Sequence, residues 1–406
     1  MKLFKPRKNI SSNFFLRLIQ VLLFLIFLLL TIYIYFRVVE YEFQIKPLLT
    51  SSKTNKIKFQ ANRFIDYPII DSTHNFKDNE KIEIGFENIA FPTLITVPEW
   101  IQNPLGKYYL YYSHHVGKSI KMAYSNSLAG PWKRFGGDVL PIYRSGLVIY
   151  EENISSVFDL FSYCTLSEMI ALNLTVNQHK KSSENKNDLR LLHKPNRPHI
   201  ASPEIYIDNK NQVIRMYYHG IVSGSIQKTK IALSKDGLLF NPTTETSIQS
   251  YARIFKHKEY FYALSSPGLL YRSKNGLKNF ENRKRWLLDE KTRHNSVLLV
   301  DEKLYIFYSR VGDAPERILY TSVDLNSDDW NKWTIGPSFE LIKPEKNWEG
   351  FGLKISPSLR GEISFPVNQL RDPYVFKDKS GIFFLIYTAA GENSIGIVEL
   401  KQKNYE

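Results

Sequence analysis

Apolar positions along the chain follow two distinct patterns. The first is a run from Leu18 to Phe36 with no charged residue, whose core reads VLLFLIFLLL. It is apolar on every face, and Gln20 is its only strongly polar member. At a rise of 1.5 Å per residue the run spans about 30 Å, the thickness of a bilayer core. It predicts a transmembrane helix, with Tyr33 and Tyr35 at one interface. A cleaved signal peptide has a shorter apolar region followed by small residues. Here TIYIYFRVVEYEF follows, so an uncleaved anchor is expected.

The second pattern is short and repeats. Aromatic-rich segments recur as KYYLYYSHH (107–115), VIRMYYHG (213–220), EYFYALSS (259–266), KLYIFYSR (303–310) and GIFFLIYTAA (381–390). Each is followed by a second strand-like segment: SIKMAYS, KTKIALS, GLLYRS, RILYTS and NSIGIVEL. Each is preceded by another: AFPTLITV (90–97), ASPEIYID (201–208), YARIFKH (251–257), HNSVLLVD (294–301) and RDPYVFKD (371–378). Asp-Gly and Asn-Gly pairs in SKDGLLF and SKNGLKNF supply the positive-φ positions of tight turns. Short strands rich in Tyr, Phe, Ile and Val at regular spacing predict an all-β repeat fold. Five such units fit a five-bladed β-propeller.

The expected organisation follows. Residues 1–17 form a basic cytoplasmic tail, 18–36 the anchor, 37–84 a stalk, and 85–402 the propeller. An insertion interrupts the propeller at about 133–197.

Charge changes the picture only at the start of the chain. The 406 residues carry 54 Lys+Arg against 40 Asp+Glu, a formal +14. Residues 1–60 alone hold ten basic and two acidic residues. Five of the basic residues precede the apolar run, which predicts a cytoplasmic N-terminus and an extracytoplasmic propeller. What remains is too small and scattered for a nucleic-acid surface. The single cysteine, Cys164, excludes an intramolecular disulfide and a CxxC zinc site. No HxxxH or HExxH metal pattern, phosphate loop or GxSxG elbow occurs. Asn153-Ile-Ser and Asn173-Leu-Thr are glycosylation sequons, relevant in a eukaryotic lumen.

In a propeller the inner strands converge on a central channel, so polar residues at their starts meet although they lie far apart in sequence. Those starts contain Phe91 and Thr93, His199, Ser202 and Glu204, Tyr251 and Arg253, Arg293, His294 and Asn295, and Arg371 and Asp372.

Three segments carry a family resemblance. RDPYVFKDKSGIFFLIYTAAGE (371–392) resembles the R-D-P strand signature of glycoside hydrolase family 43, in the arabinanase/levansucrase/invertase superfamily. ASPEIYIDNKNQVIRMYYHG (201–220) resembles that family's A-P-[DE] blade, and YSNSLAGPW (124–132) its G-P-[WF] turn. The resemblance covers about residues 85–402 and implies a five-bladed propeller that cleaves glycosidic bonds with carboxylates. Such hydrolysis needs one acid to protonate the leaving oxygen and one base to activate water. A calcium ion in the channel is implied by the resemblance alone.

Glu204 and Asp372 are the carboxylates at inner-strand starts and the first catalytic candidates. Phe91 and Thr93 stand where the family's first-blade aspartate is expected. Asp313 and Glu316, in the loop SRVGDAPERI, are the further catalytic candidates. Substrate-binding candidates are His199 and His294, the arginines Arg253, Arg293 and Arg371, and Trp348 for stacking on a sugar face. Three functions stay open on these residues. They are a glycoside hydrolase-like enzyme on an extracytoplasmic glycan, a phosphorylase or transferase on an acidic or phosphorylated sugar, and a non-catalytic carbohydrate-binding propeller.

Overall fold

A computed structural model of the chain describes residues 11–49, 57–72, 88–150, 165, 168–169, 197–224, 226–363 and 365–404. The apolar run lies in a single helix, Ser11–Ile45. Its span from Ile19 is long and apolar enough to cross a membrane, and its central window packs against nothing else in the protein.

The repeats form five antiparallel sheets, each a propeller blade. The inner strands are Ala90–Thr96, Ile200–Asp208, Arg253–His257, Thr292–Val300 and Arg371–Lys377. The aromatic middle strands are Tyr108–Ser113, Val213–Ser223, Tyr260–Ser265, Lys303–Arg310 and Phe383–Ala389. The third strands are Ser119–Ser125, Ile226–Ser234, Leu269–Ser273, Ile318–Asp324 and Ser394–Asn404. The aromatic repeats are buried because each blade packs both its faces against its neighbours. Tyr109 and Tyr111 of blade 1 join Met216 and Tyr218 of blade 2 in one cluster. Tyr262 of blade 3 joins Trp330 and Trp333 of blade 4 in another.

Ring closure comes from a segment expected in the stalk. Residues Ile57–Asn62 form the outermost strand of blade 5, paired with Ser394–Asn404. The sequence IKFQAN alternates apolar and polar positions, which is the strand period. Its inward residue Phe59 meets Tyr305, Phe307 and Tyr320 edge-on, with ring centroids 5.0, 5.2 and 5.5 Å apart. The chain's beginning and end therefore share one blade.

The start of the expected insertion is also part of the fold. Lys133–Arg134 edges blade 1, and Leu140–Pro141 pairs with its third strand. Residues 151–164 and 170–196 lie outside the described residues, as do both sequons. Glu168, within the insertion, is buried against Lys228 at 2.8 Å and Tyr271 at 2.8 Å, which ties it to blades 2 and 3.

Four inner strands enter the channel through the same distortion. Phe91, Ser202, Tyr251 and Asp372 adopt left-handed backbone, with φ of 58, 52, 60 and 47°. The pairing register slips in blades 1, 2 and 5 at these points, and again in blade 4 between Thr292 and Asn295. A bulge adds one residue to a strand and re-aims its side chains. Non-glycine residues reach this conformation only at a cost of about 1–3 kcal/mol, so the surrounding ring must hold them there.

If ring closure depends on Phe59, Phe59→Ala should lower the unfolding free energy by about 3–5 kcal/mol. Lys58→Ala, one position along and exposed, should change it by less than about 0.5 kcal/mol. Denaturant titration of the two variants checks this.

Candidate functional site

The inner-strand starts deliver their polar residues to one end of the channel, and the ends of the middle strands return beside them. Ala201 pairs with His219, Arg371 with Thr388, and Ala90 with Ser113, which His115 follows after one more residue. The mouth is thus built from two sets of residues, and reading strand starts alone finds one of them.

Asp372 and His294 meet at this mouth, with His294 Nδ1 against Asp372 Oδ1. The other Asp372 oxygen accepts from Thr388 Oγ1 at 3.1 Å and from the Phe91 amide at 3.4 Å. The His294 ring stands edge-on to Phe91 at 4.8 Å and beside Tyr251 at 4.5 Å. Burial opposes the Asp372 charge, but His294 and then Arg293 outweigh it and hold the carboxyl well below the usual carboxylate range. Burial also pushes the His294 imidazole down to about 4, against the pull of Asp372. At neutral pH the pair is therefore a carboxylate accepting from the Nδ1–H of a neutral imidazole, with Nε2 as the ring's acceptor nitrogen.

A second carboxylate-held histidine lies alongside. His115 Nδ1 contacts Glu392 at 3.1 Å, and its ring lies 5.1 Å from Phe91 and 6.4 Å from the His294 ring. Glu392 also accepts from Arg371 at 2.9 Å and from Asn88 at 3.1 Å. Burial works against its charge too, but His115 and Arg371 keep its pKa lowered. His219 completes the rim, 4.0 Å from the Tyr251 ring and 5.5 Å from His199. Burial and the neighbouring histidines hold His219 well below the ordinary imidazole value.

The candidates from sequence fall into three groups. Asp372 and His294 form the central pair, and His199 sits at the rim with Nδ1 2.8 Å from the Arg197 carbonyl. Glu316, Arg293 and Arg371 form a buried ion cluster behind that pair. Glu316 meets Arg371 Nε at 3.0 Å and Ser309 Oγ at 2.7 Å. Arg293 donates to the carbonyls of Leu359 and Gly361. Glu204 and Arg253 form a separate pair at 2.8 Å. Arg253 also donates to Thr93 Oγ1 and to the Pro203 and Asn295 carbonyls, while its guanidinium lies 5.4 Å from the Tyr374 ring. It ties together strands of all five blades. Burial raises the Glu204 pKa, opposed by Arg253.

Two candidates lie elsewhere. Asp313 is half-buried and paired with Arg317 at 3.3 Å. Trp348 packs into the blade 4–blade 5 core near Tyr387, beside the Arg63–Glu349 ion pair.

His115, His219 and Glu392 are the rim residues that strand starts miss. Their signal is the polar residue that follows or ends an aromatic run, in YYSHH, MYYHG and YTAAGE.

The calcium implied by the family resemblance does not fit these residues. That ion takes about six to eight oxygen ligands. The mouth offers imidazoles, and its carboxylates already hold His115, His294 and Arg371. Among the described residues no group of three or more His, Cys, Asp or Glu is arranged to hold a metal.

Comparison with solved structures returns family 43 propellers. The GH43 β-xylosidase/α-arabinofuranosidase CoXyl43 from a compost microbial metagenome is 12% identical, covers 84% of this chain and 95% of its own, and gives a TM-score of 0.48. A xylan β-1,4-xylosidase from Bacillus halodurans C-125 is 11% identical over 84% of this chain and 55% of its own, with a TM-score of 0.47. A GH43_1 enzyme from Xanthomonas citri is 10% identical over 84% and 91%, with a TM-score of 0.45. No family model matches the chain. In sequence the chain is 33% identical over 333 residues, 76% of its length, to the uncharacterised protein R118 of Acanthamoeba polyphaga mimivirus, of which this covers 82%. The chain belongs to the same protein family as that mimivirus protein.

Proposed function

We propose that the chain is a membrane-anchored, carbohydrate-active propeller of glycosidase type, with its chemistry at Asp372 and His294. The observation that carries this reading is their meeting at the mouth, beside the rings of Phe91 and Tyr251. A neutral imidazole oriented by a buried carboxylate is a general base near neutral pH. His294 takes the proton of the attacking hydroxyl, whose oxygen bonds the anomeric carbon as the bond to the leaving glycosidic oxygen breaks. The leaving oxygen takes a proton from solvent, and the imidazolium, stabilised by Asp372, returns its own to solvent. The attacking hydroxyl is water in hydrolysis, or that of a second sugar in transfer. In this reading Glu204, Glu316 and Asp313 serve as partners of Arg253, Arg371 and Arg317.

A hydroxyl-rich ligand also suits the unmatched polar atoms around the channel. Both ring nitrogens of His219, both amide atoms of Asn295 and Ser202 Oγ are buried with no hydrogen-bond partner among the described residues. Buried polar atoms of this kind are normally satisfied, so a ligand bearing donors and acceptors fits them. The arginines speak against the phosphorylase version. Arg253, Arg293 and Arg371 each donate to internal carbonyls, side chains or carboxylates. The excess of basic residues before the apolar helix supports an extracytoplasmic propeller.

One observation favours the binding-only reading. Of the four left-handed positions at the mouth, only Asp372 is a carboxylate.

Turnover on a panel of oligosaccharides separates the two. Asp372→Asn and His294→Gln should each cut turnover by about 100-fold or more, with glycan retention unchanged. Wild-type turnover in Asp372→Asn refutes the site assignment. Retention of glycans by the wild type without cleavage of any retained glycan establishes the binding reading instead.

The same pair sets a pH dependence. Between about pH 6.5 and 4 the unfolded chain protonates His294 while the folded chain does not. Stability should therefore fall as pH drops through that window, with His219 adding to the slope in the same direction. His294→Gln should flatten the slope of urea midpoint against pH. Asp372 acts lower, where its lowered pKa contributes stability that is lost only in stronger acid.

A further inference from the structure

The membrane helix ends against the propeller. It runs unbroken from Ser11 to Ile45, so its last turns continue directly from the apolar span. The Gln44 carbonyl accepts from the Trp286 amide at 2.8 Å, and Gln44 is buried. Ile45 packs against the core cluster of blades 2 and 3 that contains Trp286. The Arg285 guanidinium lies 3.7 Å from the centre of the Phe43 ring. Four residues past Gln44, the Leu48 carbonyl accepts from the Ile335 amide at 2.7 Å, and Leu49 forms a parallel bridge with Ile335. Ile335 in turn bridges Val323, so this segment adds to the edge of blade 4.

We propose that the outer edges of blades 3 and 4, around Trp286 and Ile335, are a membrane-docking surface, clamped there by residues 43–49. The proposal rests on the helix being a membrane span. Its partner is a lipid headgroup layer. From Arg37 to Ile45 the helix rises about 13 Å at 1.5 Å per residue, which is within reach of the headgroup region. A flexible stalk would let the propeller drift from the bilayer. A continuous helix that bonds blade 3 at Gln44, followed directly by a segment that bonds blade 4 at Leu48, holds it there. The exposed residues in the contacting stretches include Lys46, Lys284 and Lys332, which suit an anionic surface. Cation–π contact between Arg285 and Phe43 places a further basic group at the junction.

The full chain in nanodiscs of phosphatidylcholine and phosphatidylglycerol tests this. With Cys164→Ser as background, nitroxides are attached through Lys284→Cys, Lys332→Cys and, on blade 1, Lys133→Cys. Relaxation enhancement from a gadolinium-headgroup lipid should be several-fold larger at positions 284 and 332 than at 133. Ile45→Asp, which sets a charge against that core cluster, should bring the three values together. Equal enhancement at all three positions in protein that resists carbonate extraction overturns the docking surface, and a difference that survives Ile45→Asp overturns the clamp. Release of the protein by carbonate overturns the anchor reading, and the docking with it.

Discussion

The mouth of the channel depends on how its buried charges are neutralised. Arg371 is 1% exposed, and Glu316 and Glu392 are fully buried, yet all three are ionisable. An unpaired charge in such a place is expensive, and removing one partner of a buried pair costs far more than the pair contributes. Arg371 bridges Glu316 of blade 4 and Glu392 of blade 5, while Glu392 reaches Asn88 and His115 beside blade 1. Three blades are joined by one network, and every guanidinium in it is committed.

That commitment decides what is left for chemistry. The arginines that look like an anion clamp in sequence are structural cations, and the carboxylates near them are their counterions. Asp372 is different. Its partner is a neutral imidazole, and the imidazolium formed when that ring accepts a proton is balanced by the Asp372 carboxylate. The left-handed backbone at Asp372 turns its carboxylate toward His294, and the left-handed residues Phe91 and Tyr251 bring aromatic rings beside the pair. The fold sets the bulge, and the residue standing on it sets the chemistry.

The architecture was legible in the sequence because short aromatic-rich runs recur five times with turn residues between them. Strand starts also put Asp372 and His294 in one funnel, since convergence of inner strands is a property of the propeller itself, and the two are in contact there. Three things were not legible. The closing strand Ile57–Asn62 is only six residues long and follows soon after the apolar helix, so its alternation reads as part of a polar stalk. His115 and Glu392 follow middle strands, and their return to the mouth depends on the pairing register. The choice of Arg253 as the partner of Glu204 depends on side-chain reach across two blades, which spacing along the chain does not encode.

The central claim is that Asp372 holds His294 as a neutral, Nδ1-protonated imidazole at the channel mouth. Long-range proton–nitrogen correlation NMR on the chain with 15N-labelled histidine reads that state directly. The account expects one neutral tautomer for His294 at pH 7, with its proton on Nδ1, and loss of that single tautomer in Asp372→Asn. An imidazolium at pH 7, or a proton on Nε2 unaffected by Asp372→Asn, would contradict it.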